Sequence, residues 1–199
     1  MNDYEIREAV CTYIEHIHRG KYRIIDELVI GKARADIVTV TDSLAGYEIK
    51  SDADSYKRLP GQIKEYDRYF QQNYLVVGAN HKETASKHVP SYWGILCMSK
   101  SETAVPAAEA EGIASTMRGS PPVRIETIRE AGQNPKYSQK KQLSLLWRKE
   151  LNNILKANGL LKCSGKSKAY IRNYILERVP KELLQRQICD EFFERDWTL

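Results

Sequence analysis

The sequence has no apolar run approaching the roughly 18 to 20 residues that a membrane helix needs. Its first ten residues, MNDYEIREAV, are acidic and helix-forming instead of basic and then apolar. These two absences lead us to expect a cytoplasmic protein with no membrane partner. Cysteine is scarce and scattered: Cys11, Cys97, Cys163 and Cys189 form no CxxC pair, which argues against a zinc ribbon or dithiol exchange and leaves four reduced thiols. His16 and His18, two apart on a predicted helix, face different directions and share no metal. No internal repeat or low-complexity run appears.

What the chain does have is 199 residues, 42% hydrophobic and 29% charged, enough for one domain or a domain with an appendage. The charge is uneven. Residues 1–100 carry 14 Lys+Arg against 14 Asp+Glu, and residues 101–199 carry 17 against 12. Between Lys136 and Arg172 ten basic side chains face a single acid, Glu150. A polyanion is the natural partner for such a segment, so nucleic acid is expected, DNA ahead of RNA. The predicted contacts are Lys140, Lys141, Arg148, Lys149, Lys166 and Lys168, with Arg58 from the first half. A homo-oligomer is compatible with the sequence.

Periodicity predicts a helix from Asp3 to His18, strands at 23–30, 35–41 and 46–51, a helix over 59–70, and strands at 74–77 and 92–98. Residues 101–135, with their prolines and small residues, read as a linker between a core of residues 1–100 and a basic helical region of 136–199. There a long helix is expected from Ser138 to Asn158-Gly159, with Trp147 on its apolar stripe, followed by two more. The class is α/β: a mixed sheet flanked by helices, then a helical region.

One constellation carries chemistry. Asp36, Glu48 and Lys50 form the pattern D-x11-E-I-K. In a strand, residues i and i+2 share a face, so Glu48 and Lys50 point together. With TDSLA as a symmetric loop, Asp36 lies opposite Lys50 and Val38 opposite Glu48, all on that face. Two carboxylates could then hold a divalent cation, Mg2+ or Mn2+, beside a phosphate, with Lys50 stabilising developing charge.

The residues that follow add a resemblance. EIKSDADS and RLPGQIKEY, with Gln62 and Tyr66 in a Q-x-x-x-Y spacing, resemble the PD-(D/E)XK nucleases of the VRR-NUC and RecB-like kinds. R-A-D-I, V-P-x-x-W-G-I and L-L-W-R-x-E-L extend the similarity toward a bacterial and phage family of that superfamily. The resemblance implies a restriction-endonuclease-like core and an Mg2+- or Mn2+-dependent phosphodiester hydrolase. Its catalytic residues would be Asp36, Glu48, Lys50, Gln62 and Tyr66. Its metal would sit on Asp36 and Glu48, with Glu27, or its neighbour Asp26, as a third acid. The rival reading is a non-catalytic nucleic-acid-binding or regulatory protein, phage or defence related, on the same fold.

Overall fold

A computed structural model describes residues 1–100, 114–115 and 123–197. Helix α1 (Asp3–Ile17) starts at a capping box in which Asn2 accepts from the Glu5 amide and Glu5 returns the bond to the Asn2 amide. Strands β1 (Arg23–Ile30), β2 (Ala33–Val40) and β3 (Leu44–Lys50) form an antiparallel meander. After a 3-10 turn at Tyr56–Arg58, α2 (Leu59–Tyr69) crosses to β4 (Gln72–Gly78) and then β5 (Gly94–Lys100), both parallel to β3. The bridge β6 (Ala114–Ser115) and strand β7 (Val123–Arg129) complete a seven-stranded mixed sheet in the order β1-β2-β3-β4-β5-β7-β6. Helices α3 (Gln139–Leu145), α4 (Arg148–Ala157), α5 (Lys168–Arg178) and α6 (Lys181–Glu194) follow.

The sheet separates two apolar cores. On one face α1 lays Ile6, Val10, Tyr13 and Ile14 against Ile37, Tyr47, Ile49, Val76 and Leu96. On the other, Val38, Leu75, Val77 and Ile95 meet α2 and all four later helices in one continuous cluster reaching Phe192. Each fully buried Leu or Ile contributes about 1.5–3 kcal/mol. Strand β3 is buried at every residue, being covered from both sides. The close approach of α2 explains Gly46: a Cβ there would come within 2.4 Å of Phe70. Buried polar groups fasten the helical region to the sheet. Asn134 Nδ2 donates to the Asp67 and Phe70 carbonyls at the end of α2, and Gln142 Nε2 donates to the Tyr69 carbonyl.

Three expectations change. The β2–β3 pairing sets Ile37 opposite Tyr47 and Val38 opposite Gly46, two residues away from the symmetric-loop register. The turn is tighter, because the Thr41 amide donates to the Ser43 carbonyl at 2.9 Å. A shift of two preserves the face each side chain occupies. Residues 123–129, within the segment read as a linker, pair with β5; residues 101–113 and 116–122 of that segment lie outside the described residues. The long helix from Ser138 is broken at Leu146 and Trp147, both extended. Its ends are taken by side chains: Arg195 Nη2 donates to the Leu145 carbonyl, and Glu150 accepts from the Trp147 amide. Trp147 therefore leaves the apolar stripe and is 44% exposed.

Candidate functional site: a polar cleft and a basic helical face

The structure brings Asp36, Glu48, Lys50 and Gln62 to one open cleft of about 870 Å3 between β2, β3 and α2. The Asp36 backbone amide is met by the Tyr66 hydroxyl at 3.2 Å, and that hydroxyl donates to the Tyr47 carbonyl at 3.2 Å. Tyr66 is fully buried and ties β2 to β3 beneath the cleft, away from its lining. The Asp36 carboxylate accepts the Ile49 amide at 2.8 Å, so the side chain continues the ladder where backbone pairing stops.

Glu48 is 1% exposed and Lys50 4%, and the Lys50 ammonium is bonded to Glu48 Oε1. Glu48 Oε2 and Gln62 Oε1 are buried without a protein partner. Orphaned buried acceptors are costly, and both residues line the cleft. Burial, reinforced by neighbouring Glu48, raises the Asp36 carboxyl to about 7, outweighing the Ile49 amide, Lys50 and Arg7.

Glu27 stands elsewhere. Its carboxylate is shared by Arg7, at 3.0 Å, and Arg34, and it does not line the cleft. Its backbone has φ +57°, the one left-handed non-glycine among the described residues, so β1 is kinked there and Glu27 makes no pair with β2. Asp26 is likewise turned to Arg7, at 3.5 Å. Among the described residues, no group of three or more His, Cys, Asp or Glu side chains is placed to hold a metal ion.

Sequence reasoning missed several neighbours. Arg7 of α1 donates to the Asp36 carbonyl at 2.7 Å, and only its place on the polar face of a helix hinted at it. Lys32, Arg34 and Lys64 join Arg58 as exposed cations along the cleft. Asp54 accepts the Ser51 amide and hydroxyl, closing the turn after Lys50.

The other predicted cations lie away from the cleft. Lys140 and Lys141 are on α3, Arg148 and Lys149 in the first turn of α4, and Lys166 and Lys168 where α5 begins. Arg148 Nη2 donates to the Lys166 carbonyl at 2.9 Å, joining the last two groups. Glu150, the lone acid of that segment, is buried in a two-bond ion pair with Arg195, both bonds 2.6 Å. All four cysteines are free thiols, and no helix among the described residues is long and apolar enough to cross a membrane.

Comparison with known proteins corrects the sequence-based assignment. The family described as Bacteriophage P4 protein cII matches residues 1–196. A curated relative, "Protein cII" of Enterobacteria phage P4, is 39% identical over 75 residues, covering 37% of this chain and 28% of that protein. No solved structure matches. The expected membership of the PD-(D/E)XK nucleases is thus overturned, and with it the assignment as an enzyme, a metal-dependent phosphodiester hydrolase. The physical reason is that three charged residues on two paired strands, with a glutamine a helix away, specify a polar cleft and not a reaction. The chain belongs to the bacteriophage P4 protein cII family.

Proposed function

We propose that this protein is a non-catalytic nucleic-acid-binding protein that acts as a phage regulatory factor, on a core of restriction-endonuclease-like architecture. The observation that carries the reading is the fate of Glu150. The ten cations between Lys136 and Arg172 have one acid among them in sequence, and that acid is buried against Arg195. Apart from Lys136, which is paired with Asp67 at 3.3 Å, the segment therefore presents its positive charge outward, which suits a phosphate backbone, DNA in the first instance. Such contacts carry little base information, so sequence choice would come from elsewhere on the molecule.

Replacing Lys140, Lys141, Arg148 and Lys149 together by glutamine is expected to weaken DNA binding and to flatten the plot of log affinity against log salt. The slope should fall by roughly 0.7 to 0.9 for each phosphate that is no longer neutralised. Fluorescence anisotropy across a salt series measures this, and an unchanged slope would remove these residues from the interface. Labelled DNA incubated with the protein and Mg2+ should be recovered at full length; shortened strands would overturn the non-catalytic reading.

The cleft would serve as a second, metal-assisted contact. Glu48 Oε2, without a protein partner, and Asp36 are the oxygens on which Mg2+ would sit. Glu27 is occupied by two arginines and is no part of that set. Mg2+ is commonly held by one or two carboxylates together with phosphate oxygens. Binding is therefore expected to tighten in Mg2+ relative to EDTA at equal ionic strength, and Glu48→Gln should abolish the difference. Equal affinities for the wild-type chain in the two buffers would exclude a bound cation at the interface.

A further inference from the structure

The helical region carries an aromatic group that neither core uses. Trp147 stands at the break between α3 and α4, 44% exposed in a chain whose Trp93 is 0% exposed. Its ring is backed on one side by Arg195, whose guanidinium carbon lies 4.6 Å from the ring centroid. Glu150 fixes that guanidinium by two hydrogen bonds of 2.6 Å and also accepts the Trp147 amide. A large aromatic ring is thus held in place on one side by the Arg195–Glu150 pair, with part of its surface in water.

The ring also stands among cations. Arg148 is its chain neighbour and reaches the Lys166 carbonyl at 2.9 Å. Lys168 is held below the usual lysine range by burial first and then by Arg172, with Arg195 and Arg148 adding to it. Arg148 thus joins the tryptophan's turn to the start of α5, where Lys166, Lys168 and Arg172 lie, while the Arg195 charge is paired with Glu150.

We propose that Trp147 is a base-stacking platform and that the α4–α5 face binds single-stranded nucleic acid in preference to duplex. The proposal rests on the nucleic-acid-binding reading above and names its substrate class. A duplex offers phosphates and groove edges but keeps the faces of its bases stacked on one another. A single strand exposes those faces, and every base can lie on an indole while neighbouring cations follow the backbone. Charge alone would favour the duplex, whose phosphates are the more densely spaced.

The test uses the full chain, a thymine oligonucleotide of about 20 nucleotides, and a duplex of equal length, a span that covers several stacking sites. The single strand should quench tryptophan fluorescence and bind at least about tenfold more tightly than the duplex. Trp147→Leu should lower single-strand affinity about tenfold and remove most of the quenching, with duplex affinity changed less than about twofold. Trp147→Phe should retain most of the binding, which separates stacking from damage to the Arg195 packing; thermal melting checks that both variants fold. Equal affinities for strand and duplex, unaffected by Trp147→Leu, would overturn the stacking proposal and leave the nucleic-acid reading standing. Failure of wild-type protein to bind either ligand at low salt would overturn both. Polyglutamate competing as well as the oligonucleotide would point to an acidic polypeptide and reject the proposal.

Discussion

Arg195→Ala is expected to destabilise the fold by about 3–5 kcal/mol, as is Glu150→Ala, because each leaves its partner's charge buried and alone. The side chains are 3% and 6% exposed. Phe192 and Trp197 lie against the guanidinium at 4.7 Å, and Trp147 lies at 4.6 Å, so little water can replace the missing partner. The pair also ties the α3–α4 break to the chain beyond α6, through the Leu145 carbonyl. Urea unfolding of the two single variants and of Glu150→Leu/Arg195→Met measures the effect. The double variant should lose much less than the sum of the singles, since it removes both charges and fills the space with apolar atoms. Losses below about 1 kcal/mol in both single variants would show that the pair is solvated and contributes little.

Asp36→Asn is expected to stabilise the protein, by an amount that grows from about pH 4 and is complete above about pH 7. The Asp36 carboxyl sits at about 7 in the folded chain against 3.8 in the open one. The folded state then binds the proton more tightly, so stability is greatest below the unfolded value. It falls as pH rises from about 4 to about 7 and levels off above. The difference amounts to roughly 4 kcal/mol at most, since the side chain retains 21% exposure. Asparagine keeps an oxygen for the Ile49 amide and carries no charge to desolvate. Melting curves at about pH 4 and at pH 8 should show the two proteins close together at the lower pH and the variant clearly more stable at the higher. Parallel stability profiles would mean that Asp36 is ionised throughout and adequately solvated. A cleft whose carboxylate costs this much to ionise fits a site kept for binding, not for folding.

The first half of the fold was legible because its signals are local. Ile6, Val10, Tyr13 and Ile14 at helical spacing and three β-rich runs separated by turn residues placed four elements, with β2 and β3 starting two residues earlier than expected. Strand β7 was not visible because it buries little beyond Ile125 and reads as charged alternation without an apolar run. The break after Leu145 could not be read from LLWRKEL, whose propensity is helical throughout, since it depends on Arg195 from 50 residues away. At the cleft, the i, i+2 rule and strand pairing gathered Asp36, Glu48 and Lys50 even with the register misjudged by two. The fate of Glu27 turned on a left-handed backbone and on Arg7 from another element, neither of which a strand pattern encodes. The residues also suggested a chemistry that the family membership does not support, because gathering charges in a cleft is a weaker constraint than a reaction.

The kink at Glu27 bears on how copies of this chain meet one another. Strand β1 is an outer strand of the sheet, and an unbroken outer strand would present a row of free amides and carbonyls on which a second copy could add its own strand. With φ +57° at Glu27, that row is interrupted midway, and Asp26 and Glu27 place charge at the interruption. This margin therefore offers no long straight template and is guarded against edge-to-edge addition of a second copy.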